Sequence, residues 1–107
     1  MTLFSLDIRS ADQPLVVARG DRIELQLDEN RTTGFRWHVD DDADGIVTLT
    51  QDAFDRPHDA AIGAGGTRKL TFLVEKAGRA NLRMSHRRPW EPAKQAHAMF
   101  NLPLSAT

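Results

Sequence analysis

The chain of 107 residues contains no cysteine. That absence excludes a disulfide framework, a thiolate zinc site, an iron–sulfur cluster and a cysteine nucleophile. Long apolar runs are missing too. The longest uninterrupted one is Leu15 to Ala18, far short of the ~20 residues that a helix needs to cross a bilayer. Met1 to Arg9 lack a basic segment leading into an apolar one, so no secretory signal is read there. As it stands the chain is expected in the cytoplasm, or in the periplasm or outside the cell if a signal segment preceded it and was removed. An excess of charge of one sign is also lacking. Lys and Arg number 14 against 15 Asp and Glu, a formal net charge of −1. Wholesale phosphate binding is therefore not expected, and neither nucleic acid nor a membrane is an expected partner.

What is present describes an ordinary globular protein, with 40% hydrophobic and 27% charged residues. The length suits one domain spanning residues 1–107, and nothing in it calls for more than a monomer. Charge is divided unevenly along it. Residues 1–53 carry 5 basic and 11 acidic side chains, and residues 54–107 carry 9 and 4. A fold that interleaves strands from both halves would bring the two together and cancel most of the difference.

The dominant period is two. Ile23, Leu25 and Leu27 alternate with Arg22, Glu24 and Gln26, as on a half-buried strand. The same pattern runs through Thr2, Phe4, Leu6 and Ile8, through Phe35, Trp37 and Val39, through Leu70, Phe72 and Val74, and through Ala80, Leu82 and Met84. Turn residues separate the runs at Arg19-Gly20-Asp21, Asp44-Gly45, Gly63 to Gly66 and Ala77-Gly78. Ala93 to Phe100 is rich in helix formers, yet Ala96, Ala98, Phe100 and Leu102 alternate between Pro92 and Pro103. It is read as a final strand. Together these runs predict an all-β sandwich or barrel.

Several short motifs carry little. Asp40, Asp42, Asp44 and Gly45 match the start of a calcium loop, but the twelfth position holds Gln51 in place of a bidentate Glu. A solvated hairpin loop is the preferred reading. Arg19-Gly20-Asp21 spells an adhesion tripeptide that a simple turn explains as well. Asn30-Arg31-Thr32 fits a glycosylation acceptor. His38, His58, His86 and His97 show no metal-ligand spacing. No glycine-flanked nucleophile and no phosphate-cradling loop is present, so the chain is not expected to be an enzyme, and neither metal nor cofactor is expected.

Three loops stand out. Asn30 to Phe35 reads NRTTGF, with Gly34 for a sharp turn and the hydroxyls of Thr32 and Thr33 at a tip. Gly63, Ala64, Gly65 and Gly66 expose backbone to a partner. Arg88, Pro89 and Trp90 offer a stiff segment with residue types enriched at binding hot spots, unless Trp90 tucks into the core.

In order and spacing, NRTTGF, GAGG and RPW resemble the marks of the chagasin family of cysteine-peptidase inhibitors, N-P-T-T-G-[YF], G-x-G-G and R-P-[WF]. Trp37, two residues after Phe35, fits as well. The resemblance implies an immunoglobulin-like β-sandwich of about seven to eight mostly antiparallel strands. It implies reversible inhibition of papain-like cysteine peptidases. Thr32, Thr33 and Gly34 would enter the catalytic cleft, with Asn30 and Phe35 shaping the loop. Gly63 to Gly66 would flank it on one side, and Arg88, Pro89 and Trp90 on the other. Arg31 departs from the family, which carries proline there. The change removes a φ constraint and is expected to bring positive charge near the cleft. An adhesion or recognition module on the same scaffold is the alternative.

Overall fold

The computed structural model describes residues 1–56 and 65–107. Among the described residues eight strands run β1 (Leu3–Leu6), β2 (Leu15–Val17), β3 (Arg22–Glu29), β4 (Arg36–Asp42), β5 (Val47–Asp55), β6 (Gly66–Val74), β7 (Gly78–Arg87) and β8 (Ala98–Ala106). They form two four-stranded sheets, ordered β1-β3-β6-β5 and β2-β8-β7-β4. The pairs β1–β3 and β2–β8 are parallel and the other four antiparallel. The alternation left a sandwich or a barrel open, and the observed architecture is the mostly antiparallel all-β sandwich that the resemblance implied.

The alternation becomes the core. Ile23, Leu25 and Leu27 of β3 face Leu82, Met84, Phe100 and Leu102 of the opposite sheet, each at most 1% exposed. Leu70 and Phe72 of β6 complete the layer. Burying each such side chain contributes about 1.5–3 kcal/mol. This packing does the work that a disulfide between the sheets would otherwise share.

The two halves of the chain do interleave. β3 lies beside β6 and β4 beside β7, and Glu24 pairs with Lys69, Glu29 and Asp52 with Arg68, and Asp40 with Arg87. Each pair joins the acidic half to the basic half, as expected of interleaved strands.

Three local expectations are corrected. Ile8 is not a strand residue. It opens a 3-10 turn over Ile8–Ser10, capped by Asp7, and is 49% exposed. Ala93–Gln95 is likewise a 3-10 turn, and the last strand starts only at Ala98, since Pro92 and the helix formers behind it favour a turn. Residues 43–46 are not a hairpin loop. They cross from one sheet to the other, because Ala43 and Ile46 are buried and plug the edge of the core. The carboxylates of Asp41 and Asp42 accept the amide protons of Ala43 and Gly45. Among the described residues no group of three or more His, Asp or Glu is arranged to hold a metal.

Asp21 of the adhesion-like tripeptide is buried, 7% exposed. Its carboxylate accepts from the amides of Thr2 and Ala18 at 2.9 Å. It staples β1 to the turn before β3 and is not displayed to a receptor.

Candidate functional site

Strand direction brings the loops together. Glu29 pairs with Gly66, Arg36 with Arg87, and His86 with Ala98. The β3–β4, β5–β6 and β7–β8 connections therefore leave the sandwich at one end. Of the β5–β6 loop, Gly63 and Ala64 lie outside the described residues, while Gly65 and Gly66 are described.

The β3–β4 loop is a closed turn. Arg31–Thr33 form one 3-10 turn with Asn30 as its cap. The Asn30 side-chain oxygen accepts from the Thr32 amide at 3.1 Å and from the Thr32 hydroxyl at 2.6 Å. The Thr33 hydroxyl donates to the Asn30 carbonyl at 2.7 Å and accepts from the Phe35 amide at 3.3 Å. The expectation that both hydroxyls are offered at the tip is thus corrected. Thr32 and Thr33 are exposed, but their hydroxyls staple the loop. Gly34 ends the turn at φ 82°, a conformation open to glycine and strained for other residues.

Beneath the loop sits a buried acid. The side chain of Glu29 is fully enclosed. It accepts from the Trp37 amide at 2.7 Å, from Arg68 Nη1 at 2.9 Å and from Arg31 Nε at 3.1 Å. Arg68 reaches on to Asp52 of β5, and the paired guanidinium holds the Asp52 carboxyl below its ordinary range. Trp37 is 5% exposed and donates its indole N–H to the Asp28 carbonyl at 3.0 Å. None of Glu29, Asp52, Phe54 or Arg68 was marked by the sequence motifs. One signal was available: Glu29 falls on the inward phase of β3, two residues after Leu27, where a charge must be paired.

The glycine loop returns close to this anchor. A Cβ at Gly66 would fall on the Asp55 carbonyl and within 2.7 Å of Phe54 Cζ, so only glycine lets β6 begin there. At Gly65 the nearest atom would be 3.7 Å away, an ordinary contact. Gly66→Ala is expected to cost about 1–3 kcal/mol as overpacking, a melting-temperature fall of at least about 4 °C. Gly65→Ala is expected to melt as the parent does. Equal melting of the two variants would contradict this geometry.

The β7–β8 loop forms a second rigid turn. The Glu91 amide donates to the Arg88 carbonyl at 3.0 Å, and the Arg88 amide to the Glu91 carboxylate at 2.9 Å. Arg87 donates to the Glu91 carbonyl at 2.7 Å and to the Ser85 hydroxyl at 3.0 Å. Pro89 and Trp90 occupy the corner, where proline pre-sets φ. Trp90 is 76% exposed and does not enter the core. The Arg88 guanidinium lies 4.4 Å over the Phe35 ring, and its side chain passes Gly34. The first and third loops therefore touch.

Aromatic rings fill the space between them. His86 stacks on Trp37 with centroids 4.9 Å apart, its cross-strand partner in the sheet. Phe35 and His97 lie 5.7 Å from His86. Burial depresses the His86 pKa below its ordinary 6.5, with help from the nearby His97 and His38 and against the pull of Glu29. The neutral ring is then the folded form. The unfolded chain takes up the proton first on acidification, so this contribution to stability is complete above pH 6.5 and declines below it. Asp21, held down by the Ala18 and Thr2 amides, and Asp52, held down by Arg68, lose theirs only as the pH falls below 3.8. The melting temperature is expected to fall between about pH 7 and about pH 5. His86→Phe is expected to flatten that decline, and an unchanged slope would contradict the assignment.

Comparison with known proteins agrees with this architecture. Chagasin from Trypanosoma cruzi is 29% identical over 96 residues, covering 86% of this chain and 87% of chagasin. The fold matches that of the cysteine protease inhibitor EhICP2 from Entamoeba histolytica with a TM-score of 0.85, at 20% identity and over 100% and 97% of the two chains. It also matches PbICP-C, solved in complex with falcipain-2, with a TM-score of 0.66 at 13% identity over 98% and 89% of the chains. The sequence pattern of the Chagasin family peptidase inhibitor I42 spans residues 16–103. With that span inside one sandwich, the chain belongs to the chagasin family of peptidase inhibitors and is not an enzyme.

Proposed function

We propose that this chain is a reversible inhibitor of papain-like cysteine peptidases, and that it blocks their catalytic cleft with the loop-bearing end of the sandwich. The observation that carries the reading is the closed Asn30–Gly34 turn, stapled by its own side chains and flanked by the exposed Trp90. A peptidase attacks a carbonyl held in a narrow range of approach geometry. A 3-10 turn fixed by Asn30, Thr32 and Thr33 resists the extension that attack on its backbone requires. Stiffness also lowers the ordering cost of binding.

In this reading Thr32, Thr33 and Gly34 fill the centre of the cleft over the catalytic cysteine, with Asn30 and Phe35 supporting them. Gly65 and Gly66 flank them on one side, together with Gly63 and Ala64 of the same motif. Arg88, Pro89 and Trp90 lie along the other. The inhibition of cysteine proteases named for EhICP2, and the falcipain-2 complex of PbICP-C, support a peptidase of this chemistry as the partner. With no thiol of its own, the chain acts without disulfide exchange.

Titration of active papain with the purified chain tests the reading. Stoichiometric inhibition at submicromolar concentration, reversed on dilution, is the expected result. Full activity of papain and of a cathepsin beside excess chain would overturn it.

A further inference from the structure

Arg31 opens the 3-10 turn that carries Thr32 and Thr33, yet its side chain runs away from the tip. Its Nε donates to Glu29 Oε2 at 3.1 Å, and its guanidinium carbon lies 4.3 Å from the centre of the Phe54 ring. Glu29 ends β3 and Phe54 sits one residue before the end of β5. The same ring packs against the bare backbone of Gly66. One side chain thereby links the first loop to the strand ends that frame the second.

We propose that Arg31 is a positioning residue for inhibition, a clamp that holds the Thr32–Gly34 turn in its binding shape before a peptidase arrives. The inference rests on the inhibitory function proposed above. The hydrogen bonds of Asn30, Thr32 and Thr33 that close the turn are exposed and compete with water. Arg31 adds an anchor of another kind, because the carboxylate it meets is fully enclosed and cannot exchange it for solvent without cost. The ring face of Phe54 adds a cation–π contact. The two acids Glu29 and Asp52 face the two bases Arg31 and Arg68. The positive charge of Arg31 is therefore paired within the molecule, on a side chain that stays 37% exposed beside the loop.

Geometry supplies a stringent test. Asn30 has φ −107° and ψ 102°, in the extended region toward which a residue before proline is pushed. The first position of a helical turn also needs no N–H donor. Proline at position 31 would thus fit the same backbone and stiffen it without reaching Glu29 or Phe54. If positioning is the role of Arg31, proline must substitute for it and alanine must not.

The experiment compares the full chain with Arg31→Ala and Arg31→Pro, by the inhibition constant against papain and by hydrogen exchange of the Thr33 and Gly34 amides. Arg31→Ala is expected to weaken inhibition about tenfold, through faster dissociation, and to speed exchange of both amides. Arg31→Pro is expected to restore inhibition to within about threefold of the parent. Parental inhibition and exchange in Arg31→Ala, or a proline variant as weak as the alanine one, would overturn the clamp. If the parent leaves papain untouched, the proposed function fails and amide exchange decides the clamp alone. Faster exchange in Arg31→Ala with protection regained in Arg31→Pro upholds it, and any other pattern overturns it.

Discussion

Trp90→Ala is expected to weaken inhibition of papain by at least about 30-fold while leaving the melting temperature within about 2 °C of the parent. The side chain is 76% exposed in the free molecule, so truncation removes little that the fold depends on. Its turn is held by others: the Arg88–Glu91 bonds, Arg87 on the Glu91 carbonyl and the ring of Pro89. An exposed indole on a rigid corner resembles the anchors that dominate interfaces, whose loss costs about 2 kcal/mol or more. Large area and few rotatable bonds make it an inexpensive group to immobilise. The measurement is a pair: an inhibition constant and a thermal melt on the same preparation. Unfolding of the variant would mean that Trp90 supports the fold. An unchanged inhibition constant would mean that the third loop lies outside the interface.

The opposite pattern is expected at Glu29. Glu29→Ala removes the acceptor of the Trp37 amide and a carboxylate partner of Arg68, whose side chain is only 11% exposed. Breaking a buried pair from one side costs about 3–5 kcal/mol, because the remaining group keeps its desolvation penalty. Arg68 retains Asp52, so the lower figure of about 3 kcal/mol is expected, a fall of about 12 °C or more in a domain of this size. Inhibition should weaken as well, since the base of the first loop loses its anchor. A second change separates electrostatics from packing. Glu29→Leu combined with Arg68→Met should recover part of the lost stability, because an apolar pair of similar volume leaves no enclosed charge, and the partners it strips, Arg31 and Asp52, are 37% and 39% exposed. A melt of Glu29→Ala within a few degrees of the parent would show that the carboxylate is not the anchor. The contrast between Trp90 and Glu29 separates residues that meet the partner from residues that hold those in shape.

Much of the scaffold is legible in the sequence. The inward positions of β3, β6 and β7 were marked by simple alternation, and Ile23, Leu25, Leu70, Phe72, Leu82 and Met84 are all enclosed. β5 was not legible. Its pairing with β6 shifts at a bulge between Leu49 and Gln51, which breaks the period of two, and all but Val47 and Phe54 of its residues are exposed at the sheet edge. The bulge between Val39 and Asp41 likewise leaves Val39 38% exposed although it continues the phase of Trp37. Ile8 misled for a different reason. Asp7 caps a 3-10 turn there and ends the strand one residue earlier, and local side-chain capping competes with the sheet ladder.

The site divides along the same line. NRTTGF, the glycine run and RPW are contiguous motifs whose residues act near one another in sequence, so they could be read directly. Asn30, Thr32 and Thr33 do bond among themselves within three residues. Glu29 and Arg31 could not be read that way. The carboxylate of Glu29 is tolerable in the core only because Arg68, 39 residues on, delivers a guanidinium to it. Where the Arg31 charge goes depends on Phe54, carried by a strand of the same sheet that does not pair with β3.

By itself the sequence determined a disulfide-free, all-β chain of alternating strands with three unusual loops, because period and turn chemistry are local properties of a chain. Only the tertiary structure decided which charges are enclosed, which hydroxyls are spent within the loops, and that Trp90 stands exposed while Arg31 folds back. Those outcomes depend on groups brought together by strand pairing between distant segments, and burial and pairing energies exist only once that pairing has formed.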